Sequence, residues 1–410
     1  MRKDVVSIVL AGVVAAGSLA GWSMASKGGS AEAAAAVAVE VKAKPSFTDI
    51  DGHWAQSSIE TAVHAGVLNG YPDGSFKPNH TITRAELLKA MAMTFKVEVG
   101  AGGSAWYTPY QTALSKAGIY MEGDYPGNLN NSATRNEMAK LAVRGGYADY
   151  RGKKLTASEL MFRAVNKGIL SRSGTKAESI NTEGTTTRAE AAVLVTRLLK
   201  LAGGGTLTVD QGASSAAEIA WHRHNMITMF NQNDLVKLPY SVDISKKYNV
   251  TIDKLIILDP ADTKGYYAEY LKGATYYPVN KSDKPSDGYV FAYKLIGKSL
   301  VADGTGISMS SSFYTYTEGN AGTIDLTQQY MYEDGKLFER EGLFYNKKVF
   351  TFSKINSLAH NYLFELIPKK YVQAQILKYG GLPIHLVRYN VAFGSGEQIY
   401  LTDVKDHWAH

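Results

Sequence analysis

The segment TRAELLKAMAMTF, residues 83–95, predicts a helix together with the residue at which it begins. Thr83 is a favourable N-cap, and Glu86, three residues later, completes a capping box that satisfies the first backbone amides. Arg84 is unexpected between them, because the helix dipole disfavours a cation in the first turn. The apolar side chains recur at helical spacing, at Ala85, Leu88, Ala92 and Phe95. The segment therefore predicts a buried helix whose first turn carries an unexplained arginine.

The same helix beginning returns twice further along the chain, at residues 134–137 and 187–190. Successive copies of the arginine are separated by 51 and 53 residues, at Arg84, Arg135 and Arg188. A shorter helical pattern precedes each copy and ends in a glycine followed by an aliphatic residue, the glycines being Gly66, Gly118 and Gly168. This is an internal repeat of two-helix units, over residues 46–96, 104–146 and 155–201. Because one such unit cannot enclose its own apolar faces, we expect a single domain over residues 46–201.

The first 33 residues have the composition of a secretory signal peptide. Arg2 and Lys3 precede an apolar run, and AEA at positions 31–33 offers a small-x-small cleavage site. We expect residues 34–45 to form a tether to the first repeat. A retained N-terminal anchor is the alternative, although its glycines and alanines make a weak apolar span. No other segment has the length and hydropathy of a membrane span, so none is expected after cleavage of the signal peptide.

The composition excludes several classes of function. The chain of 410 residues contains no cysteine, which excludes disulfides, thiolate metal sites and thiol catalysis. The formal charge of +6 is modest for this length and is not gathered into a dense basic run. A nucleic-acid partner is therefore disfavoured, whereas an anionic wall polymer suits a mildly basic exported protein.

Beyond a glycine-rich break at residues 202–218, which predicts a linker, the chain changes character. Residues 219–410 hold 19 of the 26 tyrosines. Strand-like runs occupy residues 288–296, 311–317, 322–352 and 384–393, with a hairpin turn expected at Asp334-Gly335. Helical patterns occupy residues 218–231 and 360–380. We expect an α+β domain with an antiparallel sheet.

Residues 47–91, FTDIDGHWAQSSIETAVHAGVLNGYPDGSFKPNHTITRAELLKAM, closely resemble an S-layer homology repeat, and the next two units resemble more divergent copies. The resemblance implies a mainly α, pseudo-threefold bundle that binds secondary cell-wall polysaccharide, often carrying pyruvate ketals. It also implies a secreted protein held at the wall of a Gram-positive-type bacterium. No family resemblance identifies residues 219–410.

The resemblance also implies a role for the three arginines. In this family the motif's arginine binds the acidic sugar in a groove between repeats, a role that carries over to Arg84, Arg135 and Arg188. The chemistry is sound, because free amides at a helix beginning favour an anion and a guanidinium adds a bidentate partner for a carboxylate. A bound carboxylate would offset the unfavourable position of the cation.

Other residues of the repeats have two possible roles. Trp54 and Trp106, near the beginning of the first two repeats, can either stack on a sugar ring or fill the core. Asp73 and Gly74 can either contribute to the glycan groove or simply form a turn. The third repeat has neither a matching tryptophan nor the YPDGSF loop, so we expect its groove to be weak or empty.

The sequence shows no catalytic motif, metal site or cofactor-binding motif. His222 and His224 lack an evident third ligand and lie in a helical pattern. Residues 244–260 are similar to the helix-turn-helix half of a lysin motif, with a plain amphipathic helix pair as the alternative, and peptidoglycan is accordingly a second candidate partner. The end of the chain, LTDVKDHWA at 401–409, echoes FTDIDGHWA at 47–55.

Two functional hypotheses remain. The first is a non-enzymatic wall anchor with an exposed C-terminal module, and the second is a wall-attached enzyme, such as a glycan hydrolase, with catalysis in residues 219–410.

Overall fold

Helices dominate the first half of the chain and strands the second, as the α+β prediction requires. The computed structural model describes residues 46–173, 180–263, 266–271, 275–278, 284–301, 306–307, 322–325, 330–333, 336–339, 350–351, 355–356, 358–390 and 395–404. The predicted signal peptide and tether lie outside the described residues, as does the predicted strand at 311–317.

The α-helices described are α1 (Gln56–His64), α2 (Arg84–Thr94), α3 (Thr108–Lys116), α4 (Arg135–Gly146), α5 (Ala157–Asn166), α6 (Arg188–Ala202), α7 (Gln211–His222), α8 (Met226–Phe230), α9 (Tyr266–Leu271) and α10 (Lys369–Tyr379). Short 3-10 helices cover Ala148–Tyr150 and Pro285–Asp287. The first six α-helices are the three predicted pairs, α1 with α2, α3 with α4, and α5 with α6.

The strands described are β1 (Tyr240–Ser245), β2 (Tyr248–Leu258), β3 (Thr275–Pro278), β4 (Gly288–Ser299), β5 (Gly306–Ile307), β6 (Gly322–Asp325), β7 (Tyr330–Glu333), β8 (Lys336–Glu339), β9 (Phe350–Thr351), β10 (Leu358–Pro368), β11 (His385–Asn390) and β12 (Ser395–Tyr400). Four of them form an antiparallel sheet in the order β1-β2-β4-β10. The others pair two by two, as β11 with β12, β3 with β6, β5 with β9, and β7 with β8.

A closed ring of backbone hydrogen bonds joins the three repeats just ahead of α2, α4 and α6. The amide of Ile82 donates to the carbonyl of Thr186 at 2.9 Å, Thr186 donates to Ala133 at 2.9 Å, and Ala133 donates back to Ile82 at 2.9 Å. All three residues are buried. Each repeat therefore satisfies one backbone donor and one acceptor of its neighbours at equivalent positions.

The glycines predicted to close the first helix of each repeat share one backbone conformation. Gly66, Gly118 and Gly168 have φ of 69°, 68° and 71°. This left-handed region is costly for a residue with a Cβ, so glycine ends each helix and turns the chain into the loop.

The described residues form two apolar cores. The first gathers the helices of the repeats around large buried side chains such as Phe76, Leu88 and Phe162. The second lies between the four-stranded sheet and α8 and α10, around Phe291 and Tyr293.

The predicted linker at 202–218 is wrong in its second half, which forms the beginning of α7. Asp210 caps this helix and also holds Arg172 through both carboxylate oxygens, at 2.8 and 2.9 Å. Ala213 and Ala217 are buried in the same core as the repeats. The small residues that look like linker composition thus permit close packing of α7 on α5.

Residues 244–260, similar in sequence to part of a lysin motif, form neither that motif nor a helix pair but the end of β1 and the whole of β2. A register shift between Ile252 and Lys254 hides the alternation of apolar residues, because one extra residue separates the two halves of the pattern. The helix predicted at 360–380 is confirmed only in its second half. Strand β10 runs to Pro368, and α10 begins immediately after it.

Other predictions for the C-terminal half are confirmed. Strand β4 contains the run at 288–296, and β11 begins within the run at 384–393. Strands β7 and β8 pair up to Glu333 and Lys336, whereas the turn expected at Asp334-Gly335 lies outside the described residues. At the terminal echo, Leu401 packs in the second core, whereas residues 405–410 lie outside the described part of the chain.

The ring of hydrogen bonds generates a stability prediction at Thr186. The hydroxyl of this side chain is buried without a hydrogen-bond partner, whereas Ile82 and Ala133 are apolar at the equivalent positions. Thr186→Val removes the unsatisfied hydroxyl and keeps the shape, so we expect unfolding to cost about 1–2 kcal/mol more. Chemical denaturation of the two proteins measures the difference. The exposed Thr185→Val is the control, with a change within about 0.5 kcal/mol; an equal gain in both would contradict the prediction.

Candidate functional site

The three predicted capping boxes are all present. In α2, the Glu86 amide donates to the Thr83 hydroxyl at 3.2 Å, and the Thr83 amide donates to the Glu86 carboxylate at 2.9 Å. The same reciprocal bonds occur at the beginnings of α4 and α6. The motif's threonine and glutamate are thus explained by helix capping alone.

The first amides of these helices are not free for an anion, contrary to the expectation from the sequence. The amide of Arg84 donates to the carbonyl of Asn131 at 3.0 Å, and the amide of Ala85 donates to Leu129 at 2.9 Å. The equivalent amides of α4 donate to Gly184 and Thr182, and those of α6 to His80 and Pro78. Each helix beginning is docked on the loop of another repeat, which consumes the donors that would form an anion site.

The motif's arginine side chains reach the same neighbouring repeats. They are largely buried, with exposures of 8% for Arg84, 7% for Arg135 and 5% for Arg188. Each guanidinium donates to loop carbonyls, namely Pro126 and Asn128 for Arg84, Ser171 for Arg135, and Asn69 and Phe76 for Arg188. These acceptors offset the unfavourable position of a cation in the first turn.

Arg84 is neutralised within the protein. Its Nη2 and Nε bind the two carboxylate oxygens of Glu137 at 2.8 and 3.0 Å. Glu137 is itself the capping glutamate of α4 and is buried. This junction between the first and second repeats carries a bidentate, desolvated ion pair and has no surplus charge of its own.

The junction between the second and third repeats has the opposite character. Arg135 and Arg197 both donate to Ser171, Arg135 to its carbonyl and Arg197 to its hydroxyl, the latter at 3.4 Å. Neither arginine forms an ion pair with a carboxylate among the described residues, and the buried Nε of Arg135 has no hydrogen-bond partner there. Burial lowers the pKa of both guanidiniums, and their like charges lower that of Arg135 further, although Glu190 opposes this.

Nearby cations do not share this lack of partners. Arg144 occupies the position of Arg197 in the second repeat, nine residues after the motif's arginine, and pairs with Asp124 at 2.5 Å. Arg172 pairs with Asp210. Of these four arginines, only Arg135 and Arg197 lack a described carboxylate partner, and they lie together at Ser171.

Arg188 lies at the third junction among neutral groups. Its Nη2 donates to the Asn69 carbonyl at 2.6 Å and its Nε to the Phe76 carbonyl at 2.9 Å. The guanidinium carbon also lies 4.5 Å from the Phe76 ring centroid and 4.9 Å from that of Tyr71. Carbonyls and ring faces stabilise this cation without a described carboxylate.

The two tryptophans are exposed, which excludes the core-filling role for both. Trp54 is 68% exposed and lies 5.5 Å from His53 between ring centroids, and Trp106 is 54% exposed and contacts Tyr107 and Tyr110. A role in stacking on sugar stays a prediction.

Asp73 and Gly74 have a clear role in a turn. The Asp73 carboxylate accepts the amide and the hydroxyl of Ser75, which together lower its pKa to about 2. Gly74 has φ of 79°. A contribution to glycan binding also stays a prediction for these residues.

Arg197 and Ser171 are absent from the set predicted from sequence. The signal for Arg197 was available, because it and Arg144 both follow the motif's arginine by nine residues. Ser171 contributes its backbone carbonyl, which no sequence pattern reveals. Within the described residues, no group of His, Asp or Glu side chains has the geometry of a metal site.

Comparison with known proteins identifies the first repeat. Residues 46–88 match the model of the S-layer homology domain. The chain carries an S-layer homology domain. A cellulosome-anchoring protein of Acetivibrio thermocellus is 54% identical over 43 residues, which is 10% of each chain. An S-layer protein of Bacillus thuringiensis subsp. finitimus is 27% identical over 184 residues, covering 40% of this chain and 22% of the relative.

Some of the proteins that are similar to this chain are enzymes. An amylopullulanase of Thermoanaerobacterium thermosulfurigenes is 30% identical over 181 residues, which is 38% of this chain and 10% of that enzyme. The chain thus spans less than a quarter of the length of these three relatives. The S-layer homology domain places the protein at the cell surface. The described helices include none with the length and apolar character of a membrane span.

The buried pair at the first junction generates a prediction about stability. Arg84→Gln leaves Glu137 desolvated without its cation, so we expect the free energy of unfolding to fall by about 3–5 kcal/mol. Urea unfolding followed by circular dichroism measures the loss. Lys77→Gln is the matched control, because it removes a partly exposed pair with Asp73 at 3.2 Å. Its cost should stay below about 1 kcal/mol. A similar cost for both variants would show that Arg84 is not a buried structural cation.

Proposed function

We propose that the S-layer homology repeats hold an exported protein at the cell wall by binding an anionic secondary cell-wall polysaccharide. The observation that carries the proposal is the pair Arg135 and Arg197, two desolvated guanidiniums without a described carboxylate partner. The binding site is the junction between the second and third repeats.

The energetics of this pair favour an anionic ligand. A buried cation that has lost water without gaining a counter-charge is unfavourable, and a second cation beside it adds repulsion. Arg197 also donates to the Ile169 carbonyl at 3.0 Å, which fixes its position. A carboxylate at this junction would neutralise both guanidiniums and supply the missing acceptor for the Nε of Arg135.

Contrast between the junctions gives the proposal its specificity. At the first junction the Glu137 carboxylate already pairs with Arg84, in the way that a ligand carboxylate would. At the third, Arg188 has carbonyls and aromatic faces but a single charge. We therefore propose the junction of Arg135 and Arg197 as the principal site. Arg188, in the third repeat whose groove is expected from the sequence to be weak or empty, is proposed as a weaker one.

An approximate threefold arrangement of the repeats completes the proposal. It is supported by the ring of hydrogen bonds through Ile82, Ala133 and Thr186, and by the three helix beginnings that each dock on another repeat. The acidic group we propose for the ligand is a pyruvate ketal, whose carboxylate suits a planar guanidinium. Anchoring agrees with the names of two relatives, a cellulosome-anchoring protein and an S-layer protein.

Anchoring is preferred to hydrolysis as the role of the chain. A glycan hydrolase needs two carboxylates facing each other across a cleft. In the described part of the C-terminal half, Asp253 pairs with Arg223 and Lys294, and Asp259 pairs with Lys369. We propose that this half is an exposed module carried by the anchor.

A charge-matched pair of variants tests the site. We expect Arg135→Gln to weaken binding to purified wall polysaccharide by about 10- to 100-fold, the loss of a charged hydrogen-bonded contact. Arg163→Gln makes the same change in net charge on α5, where Arg163 pairs with Glu159 at 3.2 Å, and should bind normally. Calorimetry measures the affinity. Polysaccharide from which mild acid has removed the ketals is the reference, because it lacks the proposed carboxylate.

The melting temperature distinguishes this loss from unfolding. Because Arg135 is a desolvated cation without a counter-charge, its replacement should leave stability unchanged or raise it, unlike that of Arg84. Normal binding by Arg135→Gln, or equal loss in the Arg163 control, would overturn the assignment of this junction.

A further inference from the structure

A pocket of about 460 Å³ opens where the repeat region meets the C-terminal half. Helix α5 of the third repeat, α8, β4 and α10 all contribute to its walls. Its size lies within the range of small-molecule sites. It lies apart from Arg135 and Arg197, which do not line it.

Four polar side chains along this pocket have unused hydrogen-bonding groups. Asn166 accepts a bond from Ser214 at 3.1 Å through its carbonyl oxygen, which leaves its amide donors without a partner among the described residues. The side-chain amides of Asn231 and Gln373, which are both exposed, and the hydroxyl of Tyr289 form no hydrogen bond within the described chain, so they are accessible to a ligand. Primary amides offer a donor and an acceptor side by side, which matches the amide and hydroxyl groups of a ligand.

An aromatic wall stands beside these polar groups. Phe230 and Tyr289 meet edge to face, with ring centroids 5.4 Å apart and planes at 76°. Lys369 lies 5.1 Å from the Tyr289 centroid, but its ammonium is committed to Asp259 at 2.7 Å. Phe230 also stacks on the buried ring of Phe291, with centroids 6.2 Å apart, so Phe230 and Tyr289 present a packed aromatic surface to the pocket.

The remaining lining is apolar or small, and it contains no charged side chain. Ile227, Met229, Val372 and Ile376 form the apolar part. A pocket without charge gives an ion no compensation for the water it would lose, so anions and cations are both disfavoured. The lining suits a neutral ligand that has hydroxyl and amide groups on one side and an apolar face or methyl group on the other.

We propose that this pocket binds a neutral N-acetylated sugar unit. The aromatic edge receives the apolar face of the sugar ring, the free amides bind its hydroxyls and acetamido group, and the aliphatic side chains receive the acetyl methyl. The proposal goes beyond the anchoring function and does not rest on it, since the pocket and the arginine junction share no residue.

Two disaccharides that differ in their acetamido groups provide the test. We expect the purified protein to bind N,N′-diacetylchitobiose saturably in calorimetry, and cellobiose, which has hydroxyls in place of the acetamido groups, at least about 10-fold more weakly. No saturable binding of diacetylchitobiose would overturn the proposal. Equal binding of cellobiose would overturn the assignment of an N-acetylated ligand.

Matched variants on one helix test the location. Gln373→Ala should weaken binding by about 3- to 10-fold through loss of a neutral hydrogen bond, whereas Gln375→Ala, on the same helix but outside the lining, should not. Asn231 has φ of 54°, a conformation that glycine adopts readily, so Asn231→Gly removes the amide with little strain and should weaken binding similarly. Equal loss in the Gln375 control would overturn the location.

The two functional proposals can fail separately. Arg135→Gln should bind diacetylchitobiose normally while losing the wall polysaccharide, and Gln373→Ala should do the reverse. If Arg135→Gln also lost the disaccharide, the pocket would not be an independent site and the inference would be overturned.

Discussion

The ring of hydrogen bonds among Ile82, Ala133 and Thr186 is the constraint on which the repeat region depends. Each residue stands immediately before a helix N-cap, so the ring fixes where α2, α4 and α6 begin relative to one another. Buried backbone groups must find partners, and here each repeat finds its partners in the other two. A single repeat would leave these groups exposed to water, which explains in backbone terms why the unit occurs in three copies.

Docking of each helix beginning on another repeat also determines the electrostatics. The backbone amides are consumed by loop carbonyls, so affinity for an anion has to come from side chains. Whether a junction keeps a net charge then depends on which carboxylates lie beside the arginine. Glu137 binds Arg84 through both oxygens, while Glu190 stays outside contact distance of Arg135 and acts on it only through longer-range attraction. Repeats that are similar in backbone are thus different in charge.

Local sequence patterns predicted the parts of the fold that depend on local chemistry. The capping boxes, the glycines at the ends of the first helices and the long strand β4 follow from short-range rules, and the structure confirms them. The identity of the arginines' acceptors was not predictable, because most are backbone carbonyls contributed by a different repeat. The lysin-motif interpretation failed for a local reason: a bulge in β2 breaks the alternation that would have indicated a strand.

Packing of α7 on α5 changes how the anchor and the C-terminal half are connected. A flexible linker would let the two halves move independently, but Asp210 holds Arg172, and Trp221 stacks on Phe162 at 5.3 Å. From the end of the same helix, Arg223 pairs with Asp253 on β2, so α7 is also held to the four-stranded sheet. Force applied to an anchored protein would then pass through packed side chains rather than through a tether. The small residues of α7 therefore strengthen the connection, because they allow the helix to pack closely on α5. Small residues are also typical of linkers, so composition alone predicted a linker here.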